Sequence, residues 1–452
     1  MAIGGKACDL TIVEAAAVMA RGELSPVELV RSCLERIDSL EDRIRAWAVV
    51  DREGALKAAQ KLGDELRRGQ NRGPLHGIPV GIKDIFYTAG LSTEAGAPFW
   101  SGFTPSFDAT AVARLREAGA IILGKTHTTQ FAHLDPSPTR NPWNIAHTPG
   151  GSSSGSGAGV AAGMCLAALG SQTGGSTLRP AAFNGVVGLK SESGRISKYG
   201  VVPVSWTLDH MGIIARSVED AAIVFQAIAG HDPNDTHSLG DPVPDCISHL
   251  RSLRPPRLGL ARQHFFEHAD EEMRRHTEEV AERLRRAGAA VEEVSLPASF
   301  ADIPDTAQVI TSVEAAAYHR EMFAEHTEDY KPHIRQLIEE GLATPATRYA
   351  SALEARLQQR ADVAPLLNTV DALITPGAPG AAPGLETTGK AVMQRPWSVT
   401  GVPAIGIPTG LSAGGLPLAV QLVGPPKRED QLLAVALWCE RALGVHLRPP
   451  VD

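Results

Sequence analysis

Cysteine is scarce and scattered in this chain. The 452 residues hold five, Cys8, Cys33, Cys165, Cys246 and Cys439. None forms a CxxC pair and the number is odd, which argues against a disulfide framework or a zinc site. A reducing cytoplasm is the expected compartment. The fifteen histidines include no HExxH, so a helix-borne zinc protease site is absent. Basic residues are not in excess: 43 Lys and Arg face 51 Asp and Glu, a net charge of −8. That argues against a nucleic-acid binder working through a strongly basic surface. Long apolar runs are missing too. The longest, about Ala158–Leu169, falls well short of the roughly 20 residues that span a bilayer. The N-terminal stretch MAIGGKACDLTIVEAAAV lacks the basic start and long apolar core of a signal peptide. No repeat of fixed period is visible.

What is present describes a globular protein with a large core. Hydrophobic residues make up 43% and charged residues 21%. The first 70 residues read as helices. Thr11 with Glu14, and Ser25 with Glu28, make capping boxes, the second with Pro26 at the first helical position. A third helix is predicted over about Arg52–Gly69. GIPVGIKDIF (Gly77–Phe86) reads as a buried strand, and DATAVARLREAGAIILGKT (Asp108–Thr126) as helix, glycine cap and buried strand. Thr126–Gly151 is a long polar loop, the kind that tends to be functional. A small-residue helix is predicted over Ser156–Leu169 and another over Val218–Gly230. A strand–helix–strand unit covers the region from Arg254 to Pro297. Ser299–Leu367 is mainly helical, and strands follow in VDALITP, GVPAIGIPTG and LPLAVQLVGPP. No linker divides the chain. The expected fold is therefore α/β, one large domain with a central mixed β-sheet covered by helices on both faces. Within 1–452 the expected parts are an N-terminal helical segment 1–70, a core 71–230, a variable helical region 231–369, and strands and a helix over 370–452 that complete the core.

TPGGSSSGSGAG (Thr148–Gly159) demands a reading of its own. As a linker it would be flanked by solvated segments, but an apolar helix follows directly. As a phosphate loop it lacks the closing Lys-Ser or Lys-Thr. Gly151–Gly155 fits G-x-S-x-G, the nucleophile elbow of α/β-hydrolases, with Ser153 as nucleophile. An elbow must follow a buried strand, whereas NPWNIAHTPG is loop. A second serine, Ser176, stands in GSQTGGSTLRPAAFNGVVGLK after Thr173, Gly174 and Gly175. Consecutive small residues let backbone N–H groups converge as an oxyanion hole does, although such a serine also serves as a turn or helix cap. Lys83 lies inside an apolar run. It either snorkels to water or is desolvated, loses its charge readily and can act as a base that activates a serine.

Together GIPVGIKDIF, NPWN…TPGGSSSGSGAGVAAG and GSQTGGSTLRPAAFNGVVGLK resemble the amidase signature family, in the family's order and with its 24-residue spacing from Ser152 to Ser176. Weaker similarity extends over nearly the whole chain, least over Ser299–Leu367. The resemblance implies a Ser–cisSer–Lys triad. Ser176 is the nucleophile, Ser152, after a cis peptide bond to Gly151, is the relay, and Lys83 is the base. The N–H groups of Thr173, Gly174, Gly175 and Ser176 form the oxyanion hole, and no metal or organic cofactor is implied. It also implies a C–N hydrolase of linear amides, with carbamates or esters as further substrates. The partner is then a small molecule, with no nucleic acid and no membrane, and the enzyme a cytoplasmic monomer or homodimer.

The sequence departs from the family at several places. Gln172 replaces a common Asp, and Leu178 takes the place of an Arg, with Arg179 one residue further on. Arg179 either binds a substrate carboxylate or holds buried backbone carbonyls. His127 and Gln130 replace a common Asn and Glu. The loop Phe131–Asp135 should line the acyl pocket, so Phe131, Ala132, Gln172 and Arg179 are the candidate substrate contacts. His127 and His133 are read as pocket or structural residues. The competing function is the amidase (A) subunit of a tRNA-dependent amidotransferase complex, and SQTGGSTLRP favours the stand-alone enzyme. A catalytically dead binding protein is disfavoured because all three triad positions are filled.

Overall fold

Local signals set the helix starts. Both predicted capping boxes form: Thr11 opens the helix Ile12–Ala20 and Ser25 opens Pro26–Ile44, each with reciprocal bonds to the Glu three residues on. The structure, a computed structural model, describes residues 6–451. Residues 1–5, the start of the 1–70 segment and of the stretch read for a signal peptide, lie outside the described residues.

Eleven strands share one sheet. They are β1 (Trp47–Val50), β2 (Pro79–Lys83), β3 (Ile121–Thr126), β4 (Ala167–Gln172), β5 (Val187–Lys190), β6 (His210–Ala215), β7 (Arg257–Ala261), β8 (Ala290–Val294), β9 (Ala372–Pro376), β10 (Ala404–Leu411) and β11 (Pro417–Val423). Their order is β1-β3-β2-β4-β6-β5-β10-β11-β9-β7-β8. The centre is buried on both faces, as continuous apolar strands require. β2 runs parallel to β3 and to β4, while β4 is antiparallel to β6, so the sheet is mixed. Helices cover it, and the helical region Ile303–His326, Pro332–Ala343 and Ala346–Thr369 packs as a group of its own.

Two expectations need correction. The helix predicted over Ser156–Leu169 spans only Ser154–Ala161; a turn at Gly163 (φ 75°) breaks it, and Ala167–Gln172 is a central strand. Its Ala, Gly and Ser residues carry no periodicity that separates a buried helix from a buried strand. The first 70 residues are not helical throughout either, since Trp47–Val50 pairs with β3.

The glycines of the serine run are set by contact. A Cβ on Gly155 would lie 2.1 Å from the Ala46 carbonyl oxygen and 2.5 Å from the His127 nitrogen, because the helix start lies directly on the bond from His127 N–H to Ala46. Gly155→Ala is expected to destabilise the protein by about 1–3 kcal/mol or more, as overpacking does. Thermal denaturation against wild type measures it, and an unchanged Tm would mean the backbone there yields freely.

Candidate active site

Parallel pairing brings the key residues to one place. β2 and β4 pair with Ile82 opposite Leu169, so Lys83 leaves β2 where GSQTGGS begins. Strand ends of this kind are where α/β sheets place their ligands. Lys83 has no solvent exposure. Its Nζ donates to Ser152 Oγ at 2.7 Å and to Ser171 Oγ at 2.8 Å. Burial drives its pKa well below the usual lysine value, and the carboxylate of Asp209 pulls only weakly the other way. The Gly151–Ser152 peptide bond is cis.

Ser176 lines a cavity of about 220 Å³ together with Thr173, Gly174 and Gly175. Among the described residues its hydroxyl makes no hydrogen bond to Ser152, so Lys83 and Ser152 are joined while Ser152 and Ser176 are not. Catalytic hydrogen bonds often tighten only when substrate is bound. The loop's backbone is organised for an anion. Gln172 Oε1 accepts from the N–H groups of Thr177 (3.2 Å) and Leu178 (3.1 Å). Behind the loop, Arg179 N–H and Ser153 N–H bond the carbonyls of Gly175 and Ser176. The N–H groups of Gly174, Gly175 and Ser176 donate to no acceptor among the described residues.

Sequence reasoning missed two residues here. Ser171 shares Lys83 with Ser152, and its signal was its place in the same GSQTGGS run. Asp209 accepts from Thr173 Oγ1 and from the N–H groups of Val204 and Ser205, anchoring the first residue of the loop. Burial raises its pKa against those bonds. Ser153, the elbow candidate, is fully buried and bonds the Ser171 backbone. It does not line the cavity.

The candidate substrate contacts divide. Ala132 and His133 line the cavity; burial first, then His333 and Arg395, lowers the His133 pKa to about 3, which keeps the ring neutral. Phe131 is buried instead among Trp100, His319 and Tyr330, and Gln172 is turned to the backbone behind the loop. Arg179 borders the cavity, but its terminal nitrogens hold the carbonyls of Gly389 (2.8 Å) and Gly151 (2.6 Å) and the Thr388 hydroxyl (3.2 Å). These are the partners of its structural role. His127, its pKa lowered to about 4 by burial, lies outside the cavity. Gln130 ties the loop to the helical region through Asp329 O and Lys331 N–H, and Asp135 caps Pro332–Ala343. That region supplies Gln308, Thr311, Gln336 and Glu340 to the cavity. Among the described residues no three His, Cys, Asp or Glu side chains gather as a metal site would need, and no helix is long and apolar enough to cross a membrane.

Comparison with known proteins gives first the class. The family model named Amidase matches residues 28–433, so the protein is a hydrolase of the kind that acts on amides. The chain belongs to the amidase signature family. It is 35% identical to the amidase-family (A) subunit of the glutamyl-tRNA(Gln) amidotransferase of Geobacter sp. (strain M21), over 97% of this chain and 98% of that protein. A solved structure described as a vestigial protein complex that reveals the evolutionary origins of an s-triazine catabolic enzyme superposes with a TM-score of 0.91 at 29% identity, covering 97% of this chain and 100% of that one. The native peptide amidase of Stenotrophomonas maltophilia superposes at 0.86 with 32% identity, covering 98% and 99%.

Proposed function

We propose that the protein hydrolyses the C–N bond of linear amides or carbamates through an acyl-enzyme on Ser176. The observation that carries this reading is the fully buried Lys83 with its Nζ 2.7 Å from Ser152 Oγ. A lysine stripped of water favours its neutral amine. In that form one of its two contacts reverses: Ser152 O–H donates to the Nζ lone pair while an Nζ–H still donates to Ser171. Ser171 thus aims the lone pair. Ser152 gives its proton to Lys83 and takes one from Ser176, whose Oγ attacks the carbonyl carbon. The N–H groups of Thr173, Gly174, Gly175 and Ser176 receive the oxyanion. The proton returns through Ser152 to the leaving nitrogen as the C–N bond breaks, and water then cleaves the acyl-enzyme by the same route.

A second reading, the amidase component of a tRNA-dependent amidotransferase, is favoured by the relatives of that name at 35–37% identity. Turnover without partners separates the two. As a stand-alone enzyme, monomer or homodimer, the purified chain is expected to hydrolyse members of a panel of amides, anilides, carbamates and esters. An inactive chain that gains activity only with added amidotransferase partners would establish the second reading.

A further inference from the structure

Arg395 opens the helix Arg395–Val399 and lies against the glycine-rich loop. Its Nε is 3.8 Å from where a Cβ on Gly174 would sit, and it lines the cavity that holds Ser176. Its guanidinium is half-buried, yet among the described residues it makes no hydrogen bond and no ion pair. Other arginines withdrawn from water are partnered: Arg179 by two carbonyls and a hydroxyl, Arg195 by Glu429 and two carbonyls. The nearest groups cannot serve Arg395. His133 is neutral and Arg179 carries the same charge. Glu340, the carboxylate lining the cavity, is held by the side-chain amides of Gln308 (2.7 Å) and Gln336 (2.8 Å).

A partly desolvated guanidinium that never loses its charge, with its donors unspent, is a binding site for a planar anion. We propose that Arg395 is a specificity-determining residue that receives a carboxylate of the substrate, so that the preferred amides carry a carboxylate a few bonds from the scissile carbonyl. Its place beside Gly174 keeps that spacing short. Burial lowers the pKa of Arg395, and a bound carboxylate relieves that cost. The proposal rests on the reading of Ser176 as the nucleophile of the same cavity.

The test compares mono-amides of short dicarboxylic acids with neutral aliphatic amides of equal length. Wild type should favour the anionic series. Arg395→Met should lower kcat/KM for it by about 10- to 100-fold, as loss of a charge-assisted contact does, mainly through KM, with the neutral series nearly unchanged. Arg395→Lys should recover part of the preference. Calorimetric titration of a mono-amide into Ser176→Ala, with and without Arg395→Met, reads the same contact without turnover. Carboxylate binding that depends on Arg395 in a protein that hydrolyses nothing supports this proposal and sinks the nucleophile reading. An anionic-to-neutral ratio unchanged in Arg395→Met, or in Arg395→Gln should the first variant fail to fold, overturns it.

Discussion

Lys83→Ala lowers kcat/KM by about 10⁴-fold or more, the cost of removing one member of a unit that acts together, and erases the acid limb of the pH profile. The sign follows from burial. Nζ sits in an apolar strand with no exposure, and desolvation holds its pKa well below the usual value. Below that lowered pKa the lysine is charged and cannot accept a proton. Activity therefore rises with pH as Lys83 deprotonates, and it is lost as pH falls back through the same value. Lys83→Arg is expected to be no better than Lys83→Ala, because a guanidinium does not deprotonate in proteins. Its charge can still bond Ser152 and Ser171. Circular dichroism and a melting curve confirm folding, and kcat/KM against pH reads the limb. Near-normal activity in Lys83→Arg would make this residue a fixed charge and end the relay mechanism.

Ser176→Ala abolishes turnover in a folded protein, again by about 10⁴-fold or more. Ser176 is the serine that lines the cavity, beside three unclaimed backbone N–H groups, whereas Ser153 is sealed against β4. A serine-reactive fluorophosphonate followed by peptide mapping should label Ser176 in wild type and nothing in the variant. Label on Ser153 would instead favour the hydrolase elbow. Because the hydroxyl is small and faces the cavity, the variant should melt within about 1 kcal/mol of wild type.

The sequence by itself determined the elements that depend on near neighbours. Thr11 and Ser25 bond residues three positions away, so their helix starts were readable. Val80–Ile82 and Ile121–Leu123 are apolar runs that only a buried sheet accommodates. Motif order and spacing likewise pointed to Lys83, Ser152 and Ser176. Folding decided what depends on distant partners. Ala167–Gln172 is a strand because β2 and β6 flank it, and nothing in a run of Ala, Gly and Ser announces that. Ser171 meets a lysine 88 positions away, and Arg179 finds its carbonyls at separations of 28 and 210. Its two roles could not be told apart from a chain in which Gly151 and Gly389 have no known place. Arg395 stands out only once the loop at Gly174 lies beside it. Short-range hydrogen bonding and hydrophobic pattern are written along the chain, whereas the solvation and pairing of a charge are properties of the packed interior.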